Sequence, residues 1–261
     1  MAERAAGSAG GVGRRRAFYA AGAGRWRDWW TMLHPPYTLW HLSYVALGAG
    51  LAPRLDAGRL VATLLAFFLA LGIAAHALDE LNGRPLRTAI SSRTLVAAAG
   101  VSLAGAAVIG IVMLVRVAED AGFVAGAIAL IAVGVVLVVG YNLELFGGRL
   151  HSHAGFAAAW GAFPVVTAYY AQAERLTVPA LLAAGAAFAV SWAQRALSTP
   201  ARFLRRETDG VEIRVRAAGD APTRRFDERF VLAPLEDALR ALSWGMVLLG
   251  TALVAARFAL G

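Results

Sequence analysis

Cysteine and lysine are both missing from this chain of 261 residues. Without cysteine there are no disulfides and no thiolate-bound metals. Without lysine, all 25 basic side chains are arginines. The Ala/Arg/Gly bias is one that a GC-rich genome produces, so arginine by itself marks no special role. Charge is scarce too: 16% of residues are charged and 59% are hydrophobic, with a mean hydropathy of +0.59. That balance excludes an ordinary soluble domain and points to a polytopic membrane protein. No Ser-His-acid spacing, P-loop or dinucleotide fingerprint occurs. No ionisable residue sits near the middle of an apolar run, which argues against a small transporter. The formal charge is +8. In a membrane protein such an excess belongs first to cytoplasmic loops, and no nucleic-acid motif accompanies it. Residues 1–25 contain no apolar stretch of signal-peptide type and read as a disordered basic tail.

Seven apolar runs are expected to form membrane helices, near 37–53, 58–78, 94–115, 121–143, 154–172, 178–197 and 235–258. The first is the weakest, since it contains His41 and Ser43. Arginine placement sets the orientation. The N-terminal tail, the 2–3 loop (Arg84, Arg87, Arg93), the 4–5 loop (Arg149) and the long 6–7 connection carry most of it. The N-terminus is therefore expected in the cytoplasm and, after seven spans, the C-terminus outside. Trp26 to Trp30, with Arg and Trp interleaved, reads as an interfacial helix. The all-α membrane domain is thus expected over 26–198, a cytoplasmic helix and β-hairpin over 199–233, and the last span over 234–261. Thr199-Pro200 predicts a separate short basic helix over 201–207. Val211 to Arg216 alternates at period two, Ala217 to Pro222 supplies a turn, and Phe226 to Leu232 is expected to pair back. One hairpin does not hold itself together in water, so this one must pack on the membrane domain or on a partner protein.

The sharpest motif is His76 to Arg87, at the end of the second run. His76, Asp79 and Glu80 share one helical face at i, i+3 and i+4. An imidazole and two carboxylates can hold a divalent cation such as Mg²⁺. The plainer reading is a polar helix end meeting water, capped at Asn82-Gly83. Arg84 and Arg87 follow, suited to phosphate oxygens. Asn142, Glu144, His151 and His153 fall at the same expected end, as do Gln194 and Arg195. An arginine there either meets a phosphate or snorkels to the interface.

Two stretches resemble the UbiA superfamily of intramembrane prenyltransferases. Arg84-Pro85-Leu86-Arg87-Thr88-Ala89-Ile90-Ser91 is similar to the loop after that family's first acidic motif. Tyr141 to Leu150, Trp160-Gly161-Ala162-Phe163-Pro164 and Tyr169-Tyr170 are similar to its tyrosine-started loop and the helix that follows. The likeness spans roughly residues 30–205. It implies condensation of a polyprenyl diphosphate with an acceptor, using Mg²⁺ held by two aspartate-rich motifs. In the first motif Glu80 takes the last acid position, His76 the middle and Gly72 the first, with Asp79 beside them. The second falls near Gln194 to Thr199, where this chain has no acid.

The resemblance therefore implies a divergent prenyltransferase acting on an isoprenoid (di)phosphate and a membrane acceptor. Asp79 and Glu80 would be catalytic, and His76, Asp79 and Glu80 would hold the cation. Arg84, Arg87, Tyr141, Asn142, Gln194 and Arg195 would line the substrate. The alternative is a non-catalytic relative that binds a lipid, a quinone or a partner enzyme.

Overall fold

An apolar segment away from water has one outlet for its backbone polar groups, the carbonyls one turn back, and this chain takes it. The computed structural model describes residues 25–117, 120–216 and 223–260. The expected tail lies outside them except for Arg25, and so does the Ala217–Pro222 turn. Helix α1 covers Arg25–Leu33, α2 Pro35–Leu51, α3 Ala57–Leu81, α4 Ser92–Val117 and α5 Ala121–Asn142. After a 3₁₀ turn at Phe146–Gly148 come α6, residues 153–173, and α7, Val178–Glu207. Strands β1 (Ile213–Val215) and β2 (Arg224–Phe226) precede α8, Arg229–Leu260. Asp56, Asp120 and Ser152 cap α3, α5 and α6 by accepting from Arg59 N, Phe123 N and Gly155 N.

Among the described residues, α2 to α8 run alternately up and down. Five of them, α3, α4, α5, α7 and α8, are long and apolar enough to cross a membrane, and the chain is an all-helical, multi-pass membrane protein. The expected runs at 37–53 and 154–172 form α2 and α6, which fall outside those five. The helix α2 has 17 residues and sits at the centre of the bundle. Trp40, Tyr44 and Val45 are completely buried. Trp40 Nε1 and Ser191 Oγ both donate to Tyr44 Oη, at 2.8 and 3.0 Å. His41 Nδ1–H meets Trp160 O at 2.9 Å and Ser43 Oγ donates to Trp40 O, so the polar groups that make this run look weak are satisfied inside the bundle. Val101, Val115 and Ile128, on α4 and α5, point outward and are exposed, as suits a face turned to lipid.

Small residues set the close approaches. A Cβ on Gly48 would lie 2.3 Å from Val165 O, where α2 crosses α6. One on Gly161 would lie 2.5 Å from Ala187 O, where α6 crosses α7.

Two helices depart from α geometry. Phe68–Ala75 within α3 and Ala158–Ala162 within α6 are π-helical. Such stretches frequently mark functional sites.

Three local expectations need correction. No separate helix begins at Ala201, because α7 runs unbroken through Pro200 to Glu207. Ser198 Oγ and Thr199 Oγ1 both donate to Arg195 O, the carbonyl next to the one that Pro200 leaves without its backbone donor. The returning strand stops at Phe226. Asp227 Oδ1 accepts from Arg229 N at 3.0 Å and starts α8 there, ahead of the expected 235. The hairpin pairs Ile213 with Phe226 and Val215 with Arg224. Glu212 sits within 3.0 Å of Arg214 and 3.4 Å of Arg225.

Candidate functional site

At one end of the bundle α3 turns into the 82–91 loop, α5 ends at Asn142, and α7 emerges. Glu80 is fully buried there. Its Oε2 accepts from Leu86 N at 2.9 Å, and its Oε1 from Thr88 N at 2.8 Å and Thr88 Oγ1 at 3.0 Å. The carboxylate is thus aimed into the loop that follows it. Arg84 braces the same loop, donating to Ile90 O and Ser92 Oγ, each at 2.6 Å. Asp28 of α1 accepts from Ala89 N at 3.2 Å. This loop needs such support. Arg84 and Arg87 both have a φ of 53°, the left-handed region that non-glycine residues avoid. Arg87 itself is exposed.

His76 sends Nδ1–H to Gly72 O at 3.0 Å, and its ring lies 4.6 Å from that of His34. Loss of water, and then the neighbouring His76, hold the His34 imidazole well below its usual range. Asp79 is half-buried and takes no hydrogen bond among the described residues. Arg202 and His151 are its electrostatic neighbours.

The resemblance implies a divalent cation here, and the residues fit one poorly. No group of three His, Asp or Glu side chains comes together as a metal-ligand set among the described residues. Both Glu80 oxygens are engaged by the loop, which leaves the His76 Nε2 and the Asp79 carboxylate as the open ligand atoms of the three residues, too few to close a site. No chemical step through a metal is derived from this arrangement.

A second cluster lies beside it. Arg195 Nη1 donates to Tyr141 Oη, and the guanidinium lies 5.8 Å from the Tyr141 ring and 5.4 Å from that of Phe156. Tyr141 also stacks on His151 at 4.6 Å and meets the edge of Trp160 at 5.2 Å. His151 sends Nδ1–H to Tyr141 O. Arg195 Nε here, and the Oε1 of the preceding Gln194, are buried without a hydrogen-bond partner among the described residues. Gln194 is only 3% exposed. The neighbouring Asn142 is turned to its own helix, donating to Val138 O at 2.7 Å, and its carbonyl takes Asn82 Nδ2 at 3.1 Å.

Trp160 also closes the inner end of an apolar groove between α3, α4, α5 and α6. The groove runs from Arg59, Phe123 and Tyr170 to Leu71, Val138 and Trp160, and holds about 1050 Å³ counting its open part. From Arg59 to Leu71 it follows about 18 Å of helix. Both π-helical stretches border its inner end.

The structure thus brings Tyr141, Arg195 and Gln194 to one place and commits Glu80 and Arg84 to a neighbouring loop. Sequence reading missed Phe156, the histidine stack and the groove. The Trp160-Gly161 pair was the available signal, because a glycine beside a tryptophan marks close helix packing. No family model, curated protein or solved structure matches the chain.

Proposed function

We propose that this is a UbiA-like membrane protein of seven spans that binds an isoprenoid phosphate. The N-terminus is cytoplasmic and the C-terminus outside, as the arginine bias requires. The apolar chain lies in the α3–α6 groove, and the phosphoryl head sits beside Tyr141 and Arg195. One observation carries the reading: a groove shaped for a chain ends at a tryptophan that touches a half-buried arginine cluster. Ligand sites in general are mostly apolar with a few placed polar groups. Binding is the function this geometry supports best.

Prenyl transfer to a membrane acceptor is the second reading. Asp79 favours it, as a carboxylate free of hydrogen bonds at the same end.

Calorimetric titration of the purified protein with geranyl, farnesyl and geranylgeranyl diphosphates tests the proposal. Affinity should rise with chain length. It should fall in Gly134→Phe, because a Cβ at Gly134 already lies 3.3 Å from Phe163 Cζ on the groove wall. Absence of binding, or affinity independent of chain length, would sink it. Release of inorganic diphosphate on adding aromatic acceptors separates transfer from binding alone.

A further inference from the structure

The inner face of α7 carries arginine where a metal-dependent phosphate site would carry acid. Residues 191, 195, 198 and 202 share that face, because four- and three-residue steps return to one side of a helix. They are Ser191, Arg195, Ser198 and Arg202. Both arginines act electrostatically on Tyr141, and Arg202 also acts on His34 and Asp79. Arg202 is exposed and forms no hydrogen bond or ion pair among the described residues. Arg195 keeps a buried Nε without an acceptor. Across from them Glu80 is spent on the 82–91 loop, and the acids do not gather into a metal-ligand set.

We propose that Arg195 and Arg202 bind the phosphoryl group of the ligand directly, without a bridging divalent cation. This rests on the isoprenoid-phosphate reading above and narrows it. The chemistry is that of the guanidinium: a planar fork of donors matches phosphate oxygens two at a time and keeps its charge at any physiological pH. Arg195 is held in place from both sides, by Tyr141 and Phe156, and needs little reordering to accept a ligand. Arg202, two helical turns or about 10 Å further out, supplies the second charge that a diphosphate requires. Asp79 interacts electrostatically with Arg202, so a doubly charged head placed there would be repelled by it, and its neutralisation should strengthen binding.

The test is calorimetric titration of full-length, detergent-purified protein with geranylgeranyl diphosphate, in EDTA and in Mg²⁺. Inorganic diphosphate alone is a second titrant, which separates a lipid source of the phosphate from a free one. The expected result is a Kd in EDTA within about twofold of that in Mg²⁺. Arg202→Ala should weaken it at least tenfold, a change of about 1.4 kcal/mol. Arg202 is exposed, so this variant does not test folding. Arg195→Ala should act at least as strongly, and Asp79→Asn should tighten binding. Inorganic diphosphate should bind at the same site more weakly than the lipid diphosphate. Binding that appears only with Mg²⁺ overturns this inference and leaves the proposed function standing. So does metal-independent binding that ignores Arg202→Ala. Failure to bind any isoprenoid phosphate under either condition overturns both.

Discussion

At the end of the bundle where α2 meets α3 and α6 meets α7, the polar side chains answer one another. Arg59 donates to Glu174 Oε1 at 2.7 Å and to Ala171 O at 3.0 Å. Gln172 accepts from Asp56 N at 2.8 Å and donates to Asp56 O at 3.1 Å. At the opposite end, among the described residues, Arg195 Nε and Gln194 Oε1 are buried without a hydrogen-bond partner, and Asp79 acts electrostatically on Arg202 without bonding to it. Thr167 Oγ1, on the groove wall, is likewise buried without a partner among the described residues. A buried polar group left alone costs about 1–3 kcal/mol. Each such group in a native fold calls for an explanation, and a bound ligand is one. One end of this molecule is a clasp, and the other is the end at which we propose a ligand binds.

Glu80 gives the largest expected break in that contrast, because it sits at the ligand end yet belongs to the fold. Glu80→Ala strips the acceptor from Leu86 N, Thr88 N and Thr88 Oγ1. The loss should be on the order of 3 kcal/mol or more, seen as a lower thermal midpoint in detergent and faster proteolysis within 82–91. Unchanged stability with lost ligand binding would return Glu80 to the binding site. Gly161→Val comes next. Its new side chain meets Ala187 O and Ser191 Oγ at the α6–α7 crossing, and overpacking of this kind costs about 1–3 kcal/mol. A melting curve matching the parent protein would show that the two helices are not held so close.

At the clasp, Gln172→Leu should cost about 1 kcal/mol, since it leaves Asp56 N and Asp56 O without their side-chain partner. Ligand affinity should not follow. If affinity falls with stability, the two ends are not independent.

The smallest effect concerns pH. The His34 imidazole is held below its usual range, so the folded protein resists its protonation while the unfolded chain does not. That contribution is complete above about pH 6.5, the unfolded value. It is lost as the pH falls from there toward the lowered folded value. His34→Gln should flatten the stability–pH curve over this interval. A slope identical in both proteins would place the titration elsewhere.

Sequence reading located α3, α4 and α5 to within a few residues, because lipid-facing segments must be apolar along their whole length. It ended α7 and began α8 inside the actual helices, whose polar ends run on to Glu207 and back to Arg229. It read α2 as weak for a sound local reason: His41 and Ser43 suit a lipid-facing surface badly. They are stable there because Ser43 Oγ donates to Trp40 O one turn back and His41 Nδ1–H meets Trp160 O across the bundle, the second a fact of packing that no single run contains. The same limit applied at the site. The three groups His76, Asp79 and Glu80 share a helical face by spacing alone. Where the Glu80 carboxylate points was decided by the loop that folds back over it.

The chain's composition and its runs of apolar residues determined by themselves that this is a helical membrane protein, since unbroken apolar runs of about twenty residues lack the alternation of barrel strands and satisfy their backbone in lipid as helices. The residue order also placed Arg195 and Arg202 on one face of one helix. Only the tertiary structure decided that Arg195 meets Tyr141, 54 residues away in sequence. It also decided that two helices loosen into π geometry around one groove, and that Glu80 serves the fold. Those outcomes depend on which surfaces meet across the bundle, and contacts between distant segments leave no periodic trace in either segment alone.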